Sequence, residues 1–369
     1  MRINISNKFI GEEESCFIIA EVGVNHNGST ELAKKLIDAA KDAGADAVKF
    51  QTFKAEEVVS KDVPMAKYQK ENINKNGLQL EMIKKLELNY KDFIELKEYC
   101  DNRDIIFLST PHCESSVDFL EPLVPAYKVG SGDLTNLPFL EKIAKKCKPI
   151  ILSTGMGTIK EIREAIKIIR INSKDKLKLI LLHCTTNYPC SLEEVNLRAM
   201  QTMREEFNCL VGYSDHTLSI NVPIIAVILG ACIIEKHFTL NKNLPGPDHK
   251  ASLELKEFKE MVKKIKNIEI RLKDGESLVK ILEEIPYVEK ILGKDIKKPT
   301  TEEEKIKPLV RKSIIAKVDI PKNTIITSNM LIIKRPGTGI KPKHLNKVIG
   351  KKAKYNIKKD EIITWDKIY

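Results

Sequence analysis

The chain has 369 residues, and its 62 Lys+Arg against 51 Asp+Glu give a formal net charge of +11. With 42% hydrophobic and 31% charged residues, it can bury a large core and cover it with charge, which excludes wholesale disorder. The basic residues are mostly lysines mixed with glutamates and not Arg-rich clusters interleaved with aromatics, so no nucleic-acid partner is expected. A small anionic substrate suits such a modest positive field better.

Short β-branched runs alternate along the chain with longer segments of helical period. The predicted strands are Cys16–Ala20, Ala47–Phe50, Ile105–Leu108, Ala126–Val129, Ile150–Leu152, Leu179–Leu182, Leu210–Tyr213 and Cys232–Glu235. The predicted helices are Thr30–Ala43, Lys91–Asn102, Leu137–Lys146, Ile159–Ile171, Leu192–Phe207, Ile220–Leu229 and Leu255–Arg271. Eight β-then-α units with continuously apolar strands predict an α/β protein with a (β/α)₈ TIM barrel, and an open doubly wound sheet is the structural alternative.

After about Leu272 this alternation stops. The segment Gly275–Thr301 is predicted to be an extended connector with one short helical stretch. From Arg311 onward the predicted strand-like segments are Ser313–Ala316, Ile325–Ile326, Leu331–Lys334 and Glu361–Thr364. A unit of roughly 60 residues is marginal for an independent core, so it should dock against another part of the protein. We predict a barrel domain over 1–285, a linker over 286–308 and a small, mostly β domain over 309–369.

The cysteines and the apolar runs limit the cellular setting. The eight cysteines are widely spaced without a C-x-x-C pair, so neither a zinc site nor a disulfide framework is expected. The start of the chain lacks the apolar segment of a signal peptide, and no run of about 18 uncharged apolar residues is present. We therefore predict a cytoplasmic protein that does not interact with membranes.

Every predicted strand runs into polar, Gly-rich sequence. In a barrel of parallel strands the carboxyl ends of the strands form the active site, so the side chains at these positions should converge. Six lysines and hydroxyls lie at the ends of five of the strands: Lys49, Thr110, Lys128, Ser131, Ser153 and Ser214. Cations, hydroxyls and exposed backbone amides together predict a cradle for a phosphate and a carboxylate.

Two histidines, His216 and His237, follow the adjacent seventh and eighth strands. Imidazoles from neighbouring strand ends can meet at one metal ion, and two of them with open positions suit Mn²⁺ or Mg²⁺. His26, His183 and His249 also fall in predicted loops, so spacing alone leaves the choice of ligands open.

Carboxylates complete the set of candidates. Glu21 follows the first strand directly, and Asp248 lies in a Pro-Gly-Pro-Asp-His turn that would aim its side chain. Either is a candidate for a general base or for holding substrate hydroxyls. Asp215 and Glu235 lie beside the two histidines and are candidates for orienting them.

The sequences at and after the predicted strands together resemble those of the sialic acid (N-acetylneuraminate) synthase family. The matching strings, in chain order, are IIAEVGVNHNGS, AVKFQT, LSTP, YKVGSGD, ILSTGM, LLHCT..YP, GYSDHT, EKHFT, PGPDH and KRPGTG. The resemblance implies a barrel followed by an antifreeze-like (SAF) domain at 309–369. It also implies a homodimer in which that domain is swapped, so that Arg335 enters the partner's active site.

The resemblance further implies a role for each matching residue. The phosphoenolpyruvate contacts would be Lys49, Thr110, Lys128, Ser131, Ser153 and Ser214. The ligands of a divalent Mn²⁺ or Mg²⁺ would be His216 and His237. The residues near the sugar or the reacting centre would be Glu21, Gln51, Tyr188 and Asp248, with Arg335 at the N-acetyl group. Two places depart from the family: Thr186 precedes Asn187 where some members have Asn, and Ala66–Gly77 has no match to the loop that reaches the sugar.

The activity implied by the resemblance is that of an N-acetylneuraminate synthase. Such an enzyme condenses phosphoenolpyruvate with N-acetylmannosamine in a metal-dependent reaction, releasing phosphate and forming a nine-carbon 2-keto-3-deoxy acid. The alternative acceptors are N-acetylmannosamine 6-phosphate and the 2,4-diacetamido-trideoxy hexoses that lead to N,N'-diacetyllegionaminic or pseudaminic acid. The string PGPDHKASLE is more similar to the sialic and legionaminic branches than to the pseudaminic one.

Two hypotheses of other classes compete. A lysine at a barrel strand end, Lys128 or Lys49, could form a Schiff base as in an aldolase. Alternatively, the C-terminal domain could bind carbohydrate or ice, with the barrel as a scaffold. The dense polar strand ends argue against a scaffold, which has no need of them.

Overall fold

The computed structural model describes residues 1–174 and 178–369. Its strands are β1 (Arg2–Ile5), β2 (Lys8–Gly11), β3 (Phe17–Gly23), β4 (Ala47–Thr52), β5 (Ile106–Pro111), β6 (Tyr127–Val129), β7 (Ile150–Ser153), β8 (Leu179–His183), β9 (Leu210–Asp215), β10 (Ile233–His237), β11 (Ser313–Ala316) and β12 (Leu331–Lys334). Within the described residues, β3 to β10 form one sheet with the order β5-β4-β3-β10-β9-β8-β7-β6. The registered pairs in it are parallel, and β5 lies beside β6, so the sheet closes into a barrel and the predicted fold class is confirmed.

Helices follow the strands and cover the barrel. They are α1 (Thr30–Asp42), α2 (Ala55–Val58), α3 (Lys67–Ile73), α4 (Gln79–Lys84), α5 (Tyr90–Asn102), α6 (Glu114–Leu120), α7 (Leu137–Ala144), α8 (Ile159–Asn172), α9 (Arg198–Phe207), α10 (Asn221–Ile228), α11 (Leu255–Lys273), α12 (Leu278–Glu283), α13 (Val288–Leu292), α14 (Thr301–Val310) and α15 (Leu345–Val348). Capping explains where two of these helices begin. The Ser29 side chain accepts a hydrogen bond from the Leu32 amide at α1, and Thr158 forms a capping box with Glu161 at α8.

The strands extend further into the polar sequence than the apolar runs predict. For example, β4 continues to Thr52, β5 to Pro111 and β9 to Asp215. Most of the polar side chains in the last residues of these strands are buried, so burial continues beyond the apolar residues. The predicted helix Leu192–Phe207 is wrong in its first half, because α9 begins only at Arg198.

A hairpin of β1 and β2 precedes the barrel, and the sequence patterns did not predict it. Its side chains Ile3, Ile5 and Ile10 are buried against residues from the N-terminal parts of the barrel strands, such as Phe17 and Cys232. The hairpin therefore closes the end of the barrel opposite the strand carboxyl ends. Strands of four residues carry too little periodicity to be recognised from sequence.

The connector is more helical than predicted, with α12, α13 and α14 after the barrel. The C-terminal unit pairs β11 with β12 in antiparallel register, Ser313 opposite Lys334. Its own apolar cluster includes Ile314, Ile326 and Ile363. This unit touches the barrel loops through a bridge between Val59 and Arg335. The domain boundaries at 285 and 308 stay predictions. In the part of the chain that the structure describes, no helix has the length and apolarity needed to cross a bilayer.

Candidate active site

One cavity at the carboxyl ends of the barrel strands brings together all the predicted site residues. They are Glu21, Lys49, Gln51, Thr110, Lys128, Ser131, Ser153, Tyr188, Ser214, His216, His237, Asp248 and Arg335. Side chains at the ends of parallel strands lie around the same barrel mouth, which explains the convergence of the strand-end residues, whereas Arg335 comes from the C-terminal unit.

A buried ionic network occupies the floor of this cavity. The Lys49 Nζ lies 2.5 Å from Glu21 Oε2 and 3.6 Å from Glu235 Oε2, and it donates to Thr110 Oγ1 at 3.1 Å. Gln51 Nε2 donates to the other Glu21 oxygen at 3.0 Å. Although burial disfavours the ammonium, the two carboxylates raise the pKa of Lys49, so this lysine is charged.

The second lysine is placed differently. Lys128 Nζ donates to Ser153 Oγ at 2.7 Å and lies 3.5 Å from Glu235 Oε1, which also accepts from Ser214 Oγ at 2.9 Å. Burial lowers the pKa of Lys128, and Glu235 only partly opposes this effect. Burial disfavours the Glu235 carboxylate too, but Lys128 and Lys49 hold the pKa of Glu235 below its ordinary value. Glu235 therefore links the two lysines as a shared anion.

The hydroxyl side of the cavity is tightly packed around Gly155. Its amide donates to Ser131 Oγ at 3.0 Å, and a Cβ on this glycine would lie 2.3 Å from Thr186 Oγ1 and 2.7 Å from Ser131 Oγ. Only glycine permits this approach. The two residues that depart from the family pattern are placed differently. Thr186 lines the cavity, whereas the side-chain amide of Asn187 donates to the Glu194 carboxylate.

The two histidines of the adjacent strands β9 and β10 meet in the cavity, with ring centroids 5.5 Å apart. His216 Nδ1 lies 2.6 Å from the Thr185 carbonyl, an acceptor, so Nδ1 carries the proton and Nε2 keeps its lone pair. Within the described residues, the buried His237 Nδ1 has no hydrogen-bond partner. Burial lowers the pKa of both imidazoles, and each is therefore neutral.

These features fit a divalent metal bound by few protein ligands. Neutral imidazoles with free lone pairs are metal ligands, and the unpartnered His237 Nδ1 is a buried polar atom that a metal would satisfy. In the residues described, no group of three or more His, Cys, Asp or Glu side chains is arranged for metal binding. The donor set would thus be the two imidazoles, with the remaining positions open to water or substrate oxygens.

The histidines that spacing also allowed as ligands, His26, His183 and His249, lie outside this cavity, whereas His112 lines it. His183 Nε2 is 2.9 Å from the Val195 carbonyl, and His249 contacts Thr239 Oγ1 at 2.8 Å and Asn27. Neither of these nor His26 lines the cavity. Of the histidines that spacing left as candidate ligands, His216 and His237 line the cavity, and their assignment to a metal stays a prediction.

Aromatic residues and an acid form the upper part of the cavity. The Tyr188 ring lies 4.2 Å from the His216 ring and 5.0 Å from that of Tyr68, measured between centroids. Burial, reinforced by Glu21, raises the pKa of Asp248 to about 7. This carboxyl can therefore both hold and release a proton near neutral pH.

Arg335 reaches the cavity from the C-terminal unit of its own chain. Its amide donates to the Val58 carbonyl at 2.9 Å, its carbonyl accepts from Ser60 at 2.9 Å, and its Nη1 donates to Gln79 Oε1 at 3.0 Å. Its buried Nε has no partner within the described residues. A free donor on a buried guanidinium is available for a substrate oxygen.

The loop for which no family match could be found also contributes. Tyr68 and Gln69, on α3, line the cavity. An apolar wall stands beside them, and we use this name for Val24, Phe53, Val58, Ile83 and Leu86. Val24 and Phe53 directly follow β3 and β4, but the other residues lie in or next to α2 to α4, and only the packing of these helices over the barrel mouth reveals them.

The fold and the cavity define a TIM-barrel protein with an anion-binding, two-histidine site at its strand ends and a docked C-terminal unit. The chain belongs to the NeuB family, whose sequence model matches residues 36–277, and a SAF domain follows over residues 311–368. This confirms the predicted family and the SAF domain.

Similar proteins include two sugar acid synthases and a spore coat polysaccharide biosynthesis protein. The chain is 46% identical over 361 residues to the N,N'-diacetyllegionaminic acid synthase of Legionella pneumophila, covering 97% of this chain and 96% of that protein. It is 33% identical to the N-acetylneuraminate-9-phosphate synthase of Homo sapiens, covering 96% and 93%. Among solved structures, the spore coat polysaccharide biosynthesis protein SpsE of Bacillus subtilis gives a TM-score of 0.84 at 34% identity, covering 100% of this chain and 99% of that one.

Proposed function

We propose that this chain is an N,N'-diacetyllegionaminic acid synthase, which condenses phosphoenolpyruvate with a 2,4-diacetamido-trideoxy hexose. The observation that carries the proposal is the 46% identity to a synthase of that name over nearly the whole chain, against 33% to a neuraminate-phosphate synthase. It replaces the reading as an N-acetylneuraminate synthase acting on N-acetylmannosamine, which the sequence motifs favoured.

The polar floor of the cavity supports phosphoenolpyruvate as the first substrate. Lys49 and Lys128 would neutralise its carboxylate and phosphate, and the hydroxyls of Ser131, Ser153 and Ser214 can donate to their oxygens. Glu235 fixes the two ammonium groups before substrate arrives, so little reorganisation is needed during the reaction.

The bonds formed and broken define the work of the site. C3 of phosphoenolpyruvate forms a bond to the aldehyde C1 of the open-chain sugar, water adds to C2, and the C2–O bond to phosphate breaks, leaving a keto acid and inorganic phosphate. A divalent metal held by His216 and His237 would supply a Lewis acid for the aldehyde oxygen. Asp248 or Glu21 would accept the proton of the attacking water.

The sugar end of the cavity supports an acceptor with few hydroxyls. The apolar wall suits methyl groups, such as those of a second acetamido group and a 6-deoxy carbon. Arg335, with its free Nε, would donate to an acetamido carbonyl. A 6-phosphate against the wall would lose its hydration without gaining equivalent partners, which disfavours N-acetylmannosamine 6-phosphate.

A phosphate-release assay on the purified chain tests the proposal. With phosphoenolpyruvate and Mn²⁺ or Mg²⁺, we expect the highest kcat/KM with the 2,4-diacetamido-trideoxy hexose of the legionaminate series. The comparison sugars are the pseudaminate-series isomer, N-acetylmannosamine and its 6-phosphate. A higher kcat/KM with any of these would contradict the assignment. EDTA should abolish activity, and added metal should restore it.

A Schiff-base aldolase remains the alternative chemistry, because Lys128 is a buried lysine on a barrel strand and burial lowers its pKa. Borohydride with pyruvate distinguishes the two reactions. Mass spectrometry should find no pyruvyl adduct on Lys128 or Lys49. An irreversible adduct would refute the metal-dependent condensation in favour of the aldolase.

The swapped homodimer and the cytoplasmic location stay predictions. In the structure Arg335 already enters the cavity of its own chain, so exchange between chains is not needed to complete the site. Mixing His216→Ala with Arg335→Ala protein tests exchange directly. Recovered activity would support a swapped dimer, and activity no higher than that of the separate variants would support a site built within one chain.

A further inference from the structure

The segment Thr300–Lys312, which joins the barrel to the C-terminal unit, inserts three charged side chains into the barrel mouth. They are Glu303, Arg311 and Lys312, each at most 4% exposed. Charged groups this deeply buried are retained only where specific partners compensate for the lost hydration. Their partners therefore indicate what the segment holds in place.

Glu303, on α14, makes the most informative contacts. Its Oε1 accepts the backbone amide of Met156 at 2.7 Å and that of Thr186 at 2.8 Å, while Oε2 accepts the Thr300 amide at 2.9 Å. Met156 follows β7 and Thr186 follows β8. One carboxylate oxygen thus ties together two loops that come from adjacent strands.

Lys312 and Arg311 bind the neighbouring loops. Lys312 Nζ donates to the His112 carbonyl at 2.7 Å and lies 2.8 Å from Asp133 Oδ1. Arg311 donates to Thr135 Oγ1 and to the Met156 carbonyl, both at 3.0 Å. These three side chains therefore contact the loops after β5, β6, β7 and β8. None of these contacts involves the loops after β9 and β10, which carry the two histidines.

The loops that are held carry the anion-binding groups. Ser153 ends β7, Ser131 follows β6, and Gly155 fits between Ser131 and Thr186 without room for a Cβ. A small shift of the 155–157 or 184–187 loop would separate these groups. We infer that Glu303 is a positioning residue for phosphoenolpyruvate, which holds the loops after β7 and β8 at the spacing that the anion site requires.

This inference rests on the proposed function only for the identity of the anion. Glu303→Ala leaves three backbone amides without their acceptor, including the two in the loops after β7 and β8, and should weaken phosphoenolpyruvate binding about tenfold or more. Glu303→Gln keeps an oxygen for both amides and should recover most of the affinity. Glu304→Ala is the matched control, because Glu304 is exposed on the same helix and pairs with Lys307.

Calorimetry of phosphoenolpyruvate binding to the Mn²⁺-loaded full chain, without sugar, measures the effect. We expect the order of affinity to be wild type and Glu304→Ala, then Glu303→Gln, then Glu303→Ala, with Mn²⁺ affinity changed less than twofold. Equal phosphoenolpyruvate affinity in Glu303→Ala and Glu304→Ala would overturn the inference. Equal losses of Mn²⁺ and phosphoenolpyruvate affinity would also overturn it, since they would indicate general disruption. Thermal unfolding of each variant identifies misfolding. If Glu303→Ala misfolds, the comparison of Glu303→Gln with Glu304→Ala decides, and we expect the weaker phosphoenolpyruvate binding in Glu303→Gln.

The two proposals can fail separately. Binding of phosphoenolpyruvate without turnover of any tested sugar would refute the proposed synthase and leave the calorimetric comparison intact. Turnover with unchanged affinity in Glu303→Ala would refute the positioning role and leave the synthase in place.

Discussion

The floor and the upper wall of the cavity are built in different ways. The floor consists of side chains carried by the barrel strands themselves, such as Lys49, Lys128 and Ser153, and they form one ionic network. Most of the upper wall consists of side chains in or next to α2 to α4, such as Ile83, and Arg335 joins it from the C-terminal unit. Under the proposed function, the chemistry would belong to the rigid strands, whereas the choice of sugar would belong to the segments that pack over them.

The largest expected effect is on the floor. Lys128→Met removes an ammonium that contacts Ser153 and Glu235 while leaving Lys49 to pair with Glu235. We expect kcat/KM to fall about 10³-fold, because a preorganised charge facing the substrate anion is lost. Steady-state phosphate release measures it.

Lys146→Met is the control for this prediction, since Lys146 forms ion pairs at the surface of α7 with Asp118 and Glu121. It should retain wild-type activity. A loss of less than tenfold in Lys128→Met would contradict the assignment of the floor as the anion site.

Asp248 lies between the two regions and gives a prediction about pH. Burial and Glu21 raise its pKa from 3.8 to about 7, with Lys49 opposing, so activity that needs the carboxylate should fall as the pH drops through about 7. Asp248→Asn should lower kcat about 10²-fold and abolish that limb of the pH profile. A variant with full activity and an unchanged limb would exclude Asp248 as the base.

The same carboxyl predicts a trend in stability. A carboxyl whose pKa is raised in the folded state contributes stability at acidic pH that is lost as the pH rises towards about 7. Asp248→Asn should therefore be more stable than the wild type at pH 8, by up to roughly 4 kcal/mol. Near pH 4 the two should unfold at similar denaturant concentrations. Equal stabilities at pH 8 would show that the carboxyl is not desolvated.

Arg335 tests the wall with a smaller effect. Arg335→Ala should raise the KM for the sugar about tenfold, because a buried guanidinium donor is lost. The affinity for phosphoenolpyruvate should hardly change, since the anion site lies among the strand ends. Lys317→Ala, in the same C-terminal unit and exposed, serves as the control. Equal effects on both substrates would contradict the division between floor and wall.

The floor could be predicted from sequence, and the wall could not, for a physical reason. The polar residues after each apolar run lie in the last part of a barrel strand or in the loop that follows it, so Lys49 or His237 can be assigned to the mouth from local sequence alone. Tyr68, Ile83 and Glu303 lie in short helices whose sequences give no sign of what they cover. Their positions depend on packing between segments distant in the chain, as with Glu303 and the Met156 amide. Arg335 was found only through the resemblance.

The smallest expected effect concerns the choice of sugar at Ile83. This half-buried side chain packs against Val24, Phe53, Val58 and Leu86 in the apolar wall. Ile83→Ala removes methyl groups that would contact the apolar parts of a diacetamido-trideoxy hexose, while N-acetylmannosamine depends less on such contacts. The ratio of kcat/KM for these two sugars should fall about fivefold. The exposed Ile94→Ala on α5 should leave the ratio unchanged. If Ile83→Ala slowed both sugars equally, the wall would shape the cavity without selecting the acceptor, and selectivity would have to reside in the polar groups around Arg335.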